Sequence, residues 1–310
     1  MTGRIIVITG PTATGKTALG ANLAKQIGGE VVSADSMQIY RRMNIGTAKP
    51  TAAEQLGIPH HMLSVAEPWE DYSVSKYVED ASKCVDDILN REKTPVIVGG
   101  TGLYIDSLIR GNEFSDKPDP MLRAEIEAEY DNAGGEAMLV KLAAFDPESA
   151  EKLHANDKKR IVRAFEVFRG TGQTISQHNR ETKDLPPRYD AVKIALNFSD
   201  RQDLYNRIDT RVDTMMSAGL AQEVRGILNA GVSANTTAMQ AIGYKELIGA
   251  IAGEYSFDEA VNTIKMESRR YAKRQLTWLR RDDNAQWIFY EKTPDLDWGL
   301  HVSTGYLQVL

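Results

Sequence analysis

Residues 10–17 read Gly10-Pro11-Thr12-Ala13-Thr14-Gly15-Lys16-Thr17. This G-x-x-x-x-G-K-[ST] pattern is a P-loop. Backbone N–H groups of such a loop point inward at phosphate oxygens, Lys16 adds a point charge, and the Thr17 hydroxyl suits Mg²⁺. A helix opening at Lys16 turns its positive end toward the same anion. The ligand must therefore carry phosphate groups. ATP or GTP chemistry needs one thing more, an acidic residue at the end of a second strand to help hold the metal. The strand candidate Pro95-Val-Ile-Val98 runs into Gly99 and Gly100 instead. The carboxylate comes one strand earlier, as Asp35. This departure argues against a nucleoside triphosphatase.

Asp35 and Thr101 are the other two residues with chemistry to offer. In a parallel sheet the residues just past the strand C-termini line the ligand crevice, and both hold that place together with the P-loop. Asp35 has two readings: a general base or indirect Mg²⁺ ligand, and a helix N-cap in Ser-Ala-Asp-Ser-Met-Gln. Thr101 lies between Gly100 and Gly102. It reads equally as a hydroxyl offered to a ligand or as part of a turn.

The elements that must carry these residues are legible in outline. Arg4–Thr9 is apolar, β-branched and bounded by Gly10, as a buried strand should be. A helical pattern follows through Ala18, Leu19, Ala21, Leu23, Ala24 and Ile27, and Gly28-Gly29 ends it. Val31-Val32 starts a second strand. Residues 42–70 are rich in loop formers, 74–91 read as a helix, and 95–98 as a third strand. The alternation predicts an α/β fold with a P-loop NTPase-like parallel sheet covered on both faces. The pattern changes near residue 113. Asp116, Pro118, Asp119 and Pro120 form a boundary, 120 to about 180 reads as helix alone, and Pro186-Pro187 forms a second boundary. Ala191–Leu196 reads as a strand rejoining the sheet. The expected organisation is a core of 1–113 plus 191–310 with an all-helical insertion at 114–190. Helices are expected at 200–217, 219–229, 238–252 and 257–281.

Composition narrows the class. The chain has 310 residues, 42% of them hydrophobic, which is ample for a core and long for one simple domain. Its single cysteine, Cys84, builds neither a disulfide framework nor a zinc site. No apolar run approaches a membrane span, and the N-terminal apolar stretch is too short for a signal peptide. A cytoplasmic monomer is expected. The net charge of −6 argues against nucleic acid unless the basic residues are clustered. They are. Residues 262–281 hold seven Lys/Arg against one acid, Glu267, with Tyr271 and Trp278 interleaved. Asp157-Lys-Lys-Arg-Ile-Val-Arg163 is a second cluster. Such a helix is either a solvated face or a contact surface for a nucleic-acid backbone.

Seven segments then carry a resemblance across nearly the whole chain: G-P-T-A-T-G-K-T (10–17), D-S-M-Q-I-Y (35–40), N-I-G-T-A-K-P (44–50), V-G-G-T-G-L-Y (98–104), R-I-V-R-A-F-E-V-F (160–168), A-I-G-Y-K-E (241–246) and A-K-R-Q-L-T-W-L-R (272–280). In this order they resemble the bacterial tRNA dimethylallyltransferase family. The resemblance implies transfer of a dimethylallyl group from dimethylallyl diphosphate to N6 of adenosine 37, in tRNAs reading codons that start with U, with release of diphosphate. It implies catalytic roles for Asp35, which accepts the N6 proton, for Thr101 and for Lys16. It places the donor's diphosphate on Gly10 to Thr17 and Arg211, with Mg²⁺ at Thr17. It implies tRNA contacts from Asp35, Ser36, Met37, Gln38 and Thr101, from Arg123, Lys159, Arg160 and Arg163 of the insertion, from Gln240, Gly243 and Lys245, and from Lys273, Arg274 and Arg280. The insertion becomes an expected tRNA-binding domain gripping the anticodon stem. The rivals are a P-loop nucleoside or small-molecule kinase, a prenyltransferase acting on free adenylate, and a non-catalytic RNA-binding module.

Overall fold

The structure is a computed structural model and describes residues 3–111, 119–183 and 185–308. The chain divides into two compact units, residues 1–111 with 188–310, and residues 112–187. The boundary residues Asp116 and Pro118 lie outside the described residues.

In the first unit, β1 (Arg4–Thr9) leads through the P-loop into α1 (Lys16–Ile27). The chain continues through β2 (Glu30–Ser33), β3 (His60–His61), α2 (Val74–Asn90), β4 (Pro95–Val98) and α3 (Gly102–Arg110). The second unit holds α4 (Pro120–Ala133), α5 (Gly135–Ala143), α6 (Pro147–Lys152), α7 (Lys158–Thr171) and α8 (Ile175–Lys183). Its core gathers Ile126, Met138, Leu142, Ile161 and Phe165, and Phe145 stacks on Phe168 with ring centroids 4.1 Å apart. The first unit resumes with β5 (Asp190–Phe198), α9 (Arg201–Ser217), α10 (Leu220–Asn229), α11 (Tyr244–Ala252), α12 (Phe257–Leu279), β6 (Gln286–Tyr290) and α13 (Leu296–Gln308).

The six strands form one sheet in the order β3-β2-β4-β1-β5-β6, every pair parallel. Residues 5–9 of β1 are buried throughout, as expected of a central strand covered on both faces. Register is what matters for the site. Ile8 of β1 stands opposite Val98 of β4 and Ile194 of β5, and Ser33 of β2 stands opposite Val98. The C-terminal ends of these strands are level, so the loops after β1, β2 and β4 emerge side by side.

Three elements depart from the sequence reading. The edge strand β3 falls in the stretch 42–70 read as rich in loop formers, and β6 falls beyond the last expected helix, 257–281, where no strand is expected. The helix expected from residue 238 begins only at Tyr244. Residues 236–243 are turns, and Gly243 enters α11 at φ +97°, a conformation that side chains disfavour.

Candidate active site

The P-loop curls between β1 and α1. Ala13 sits in the left-handed region at φ 68°, and Gly15 at φ 86° turns the chain into the helix. Among the described hydrogen bonds, the Thr12 N–H is committed to the Gln275 side chain, while the N–H groups of residues 13–17 have no protein partner. Those five amides are the cradle, opening at the N-terminus of α1 as anion sites do. Pro11 contributes its carbonyl, which accepts from Thr14 Oγ1 and from Lys16 Nζ, both at 2.8 Å. Lys16 is half-buried at the mouth of the loop. Burial first, then the nearby Arg211 cation, lowers its pKa to about 8, against an opposing pull from Asp35. Burial also lowers the Arg211 pKa from its usual value. The Arg211 guanidinium reaches the Thr47 carbonyl at 3.5 Å.

Asp35 combines both of its sequence readings. One carboxylate oxygen, Oδ1, accepts from the N–H groups of Met37 (2.9 Å) and Gln38 (3.2 Å), which caps the turn that follows. The other, Oδ2, has no partner among the described hydrogen bonds. Thr101 Oγ1 accepts the Ser36 N–H at 3.1 Å and faces Ser36 Oγ at 3.4 Å, so it ties the loop after β4 to the loop that carries Asp35. The approach is close: a Cβ on Gly99 would lie 2.1 Å from the Ala34 carbonyl oxygen. The strand end that would carry an acid in a triphosphatase therefore has no room for a side chain.

These loops meet at three cavities. A small one of about 60 Å³ is lined by Thr12, Lys16, Thr17, Asp35, Gln38, Arg211, Tyr271 and Gln275, among others. A second, of about 360 Å³, shares Thr12, Asp35 and Arg211 with it and adds Ser36, Met37, Gln240, Gly243, Lys245 and Arg274 around an apolar wall of Ile208, Val212, Met215, Leu220 and Ile264. A third, of about 1020 Å³, opens on Gly15, Lys16, Thr17, Lys49, Arg207 and Arg211.

The remaining candidates divide by what their charges already touch. Lys273, Arg274 and Arg280 are exposed on or just past α12, and none is ion-paired among the described residues. Arg274 covers the Tyr271 ring at 5.7 Å. Their neighbours Lys265, Arg269 and Arg270 are paired with Asp213, Asp209 and Glu267. Of the residues in the second unit, Lys159 and Arg160 are exposed and outside any ion pair among the described residues. Arg123 and Arg163 both pair with the buried Glu166, at 3.8 and 2.9 Å. Gln240 donates to the Ala234 carbonyl, and Lys245 pairs with Glu246.

Several site residues were not read from the sequence. Arg207 donates to the Ala13 carbonyl and lies over the Phe198 ring. Glu223 accepts three consecutive N–H groups, of Asn44, Ile45 and Gly46, and the Tyr244 hydroxyl. Tyr271 faces Asp35, Thr101 and Gln275, and burial pushes its hydroxyl up to about 12. The i, i+4 spacing of Arg207 and Arg211 on one helix was the available signal for the first. The others depend on contacts distant in sequence.

A parallel sheet, a phosphate cradle at the end of its first strand and a carboxylate on the neighbouring loop define a P-loop group-transfer protein. Comparison with known proteins narrows the class. Residues 38–282 match the family model described as IPP transferase, and residues 3–66 match one described as isopentenyl transferase. The chain is 47% identical to the tRNA dimethylallyltransferase of Acetivibrio thermocellus over 285 residues, 92% of this chain and 91% of that one. It matches the crystal structure of the full-length tRNA isopentenylpyrophosphate transferase of Bacillus halodurans at 38% identity and TM-score 0.71, covering 98% and 97% of the two chains. A eukaryotic dimethylallyltransferase solved acting on tRNA matches at 28% identity and TM-score 0.80, over 98% of this chain and 78% of that one. The chain belongs to the IPP transferase family, that of the tRNA dimethylallyltransferases.

Proposed function

We propose that this enzyme transfers the dimethylallyl group of dimethylallyl diphosphate to N6 of adenosine 37 in tRNAs reading codons that begin with U. The observation that carries the reading is the cavity on which the P-loop, Lys16, Arg211 and Asp35 converge. It sets a diphosphate cradle and a carboxylate on one small space. In the reaction N6 attacks C1 of the allylic group, and the C1–O bond breaks with its electron pair leaving on diphosphate. The N6 proton passes to Asp35 Oδ2. The cradle amides, Lys16 and Arg211 stabilise the charge that develops on the leaving group. Thr101 and Ser36 hold the acceptor loop, and the target base must be splayed from its stack to enter.

Mg²⁺ fits this donor set in one manner. Among the described residues no group of three or more His, Cys, Asp or Glu gathers to hold a metal. The Thr17 hydroxyl has no partner among the described hydrogen bonds and lines the cavity with Lys16. A hydroxyl plus substrate phosphates is a normal Mg²⁺ environment. Thr17 would hold the ion, which would supply further neutralisation of the diphosphate.

The exposed cations Lys159, Arg160, Lys273, Arg274 and Arg280 are the groups we assign to the phosphates of the anticodon stem-loop. Arg123 and Arg163 are the weakest of the expected contacts, because Glu166 already neutralises them in part. Among the described residues no helix is long and apolar enough to cross a membrane. We place the protein in the cytoplasm as a monomer, and the half-buried Cys84 thiol suits a reducing compartment.

The test mixes the protein with Mg²⁺, labelled dimethylallyl diphosphate and either unmodified tRNA or AMP. Label should enter tRNA. Absence of label in tRNA overturns the reading, and label in AMP instead points to a free-adenylate prenyltransferase. The combined substitution Lys273→Ala, Arg280→Ala should weaken tRNA binding and make the slope of log affinity against log salt shallower, by roughly 0.7–0.9 for each phosphate no longer neutralised. An unchanged slope would assign this end of α12 a structural role.

A further inference from the structure

We propose that Gln275 is a positioning residue of the transfer: its side chain fixes the P-loop against the loop after β4, which in turn ties down the loop that carries Asp35. Gln275 is 7% exposed on α12. Its Oε1 accepts the Thr12 N–H of the P-loop at 2.9 Å, and its Nε2 donates to the Gly100 carbonyl at 2.9 Å. The amide has one possible orientation, because a backbone N–H must face its oxygen and a carbonyl must face its nitrogen. Space is fitted to it as well. A Cβ on Gly100 would stand 2.2 Å from Nε2.

Two consequences follow for the chemistry. The Thr12 N–H is turned from the cradle and used as an anchor, so residues 13–17 alone face the phosphate. The loop ending in Thr101, which ties down the Asp35 loop through Ser36, is held by the same side chain. Tyr271, one turn earlier on α12, lines the small cavity together with Gln275 and Asp35. Productive transfer needs donor C1 and acceptor N6 about 3–3.5 Å apart and aligned. Gln275 joins the P-loop directly to the Gly100–Thr101 loop, and through Thr101 and Ser36 it bears on the loop that carries Asp35. It does so from the helix that carries Lys273 and Arg274, so the element exposed for RNA also holds the P-loop in place.

The proposal rests on the transfer function argued above, and the experiment separates the two. Single-turnover transfer is measured with saturating labelled dimethylallyl diphosphate and tRNA, beside the Kd of each substrate and the Tm. If the unaltered protein transfers no label, the functional reading itself falls. If it does, Gln275→Met, of nearly equal volume but without hydrogen bonds, should lower the single-turnover rate about a hundredfold. Both substrates should still bind as they do to the unaltered protein. Gln275→Glu keeps the acceptor for Thr12 and loses the donor to Gly100. It should fold and give an intermediate rate, which covers the case of a Met variant that does not fold. A full rate in a protein of lower Tm would make Gln275 merely structural. A rate loss that follows a loss of tRNA affinity would make it an RNA contact. Either result overturns the proposal.

Discussion

Asp35→Asn is expected to lower the rate of dimethylallyl transfer at least about a hundredfold, the low end of what a positioned proton acceptor contributes. That corresponds to about 2.7 kcal/mol on the barrier. Asn is the informative substitution because Asp35 has two duties. Oδ1 caps the turn through Met37 and Gln38, and an amide oxygen can keep both of those bonds. What Asn cannot do is take the N6 proton. Thr101 and Ser36 are untouched by the change, so the acceptor loop should keep its shape. The expected outcome is a protein that binds tRNA and donor normally and turns over slowly, read by single-turnover transfer beside separate Kd measurements. Turnover at the normal rate would remove Asp35 from the chemistry. Asp35→Ala would be slow too, but it would also leave two N–H groups of the turn without their acceptor, so it does not isolate the base.

The contrast between Asp35 and Gln275 shows which parts of the site a sequence displays. Asp35 is legible because the logic is local. Two β-branched residues, Val31 and Val32, mark a strand, and the first carboxylate after them falls at the crevice. The P-loop is legible for the same reason: its spacing is contiguous and its flanks are a strand and a helix. Gln275 is a neutral amide inside a run of lysines and arginines, and its partners lie 263 and 175 residues away in sequence. No periodicity reports such a contact. Glu223 is similar. On α10 it looks like one more charged residue, yet it holds three backbone N–H groups from residues 44–46. The basic run itself was legible as charge but not as function. Which cations remain outside ion pairs depends on Asp209 and Asp213 across α9, residues that sequence reading had no reason to set beside α12.

The fold shows the same division. The central strands announce themselves because burial on both faces demands runs of Ile and Val. The edges do not. β3 is two histidines long, and its pairing rests on Val31 and Val32 of its neighbour. β6 is a short strand opening on an exposed Gln286, with Phe289 also exposed. The late start of α11 has a different cause. Ala238 and Met239 are fully buried, so the apolar pattern there is real. It belongs to packed turns rather than to a helix, because Gly243 breaks the backbone before Tyr244.

Lys16→Gln should reduce transfer about 10²–10³-fold, the loss typical of removing one group aimed at developing negative charge. It should also remove a pH dependence that the site builds in. Burial of the half-buried Lys16, with Arg211 beside it, lowers its pKa from 10.5 to about 8. In the free enzyme the ammonium therefore loses its proton as pH rises through about 8, and a diphosphate arriving above that pH finds one charge fewer. The bound donor pulls the pKa back up by its own negative charge. The result should be an asymmetric profile. kcat/KM for the donor falls as pH rises through about 8, whereas kcat at saturating donor holds to higher pH. Lys49 is also lowered to about 8 by burial, but it lines only the large cavity, with its ammonium on the Tyr40 carbonyl and the Ser64 hydroxyl, and is absent from the small one where Lys16 meets Asp35 and Arg211. Lys16→Gln should abolish the alkaline limb, and Lys49→Gln should leave it. For stability the sign is separate. The unfolded chain keeps the Lys16 proton up to its ordinary pKa of 10.5, so the charged amine costs stability below about pH 8, and that cost fades as pH climbs toward 10.5. A kcat/KM profile that is flat through pH 8 in the unaltered protein, or a limb that survives in Lys16→Gln, would show that the ammonium does not meet the donor's diphosphate as we have placed it.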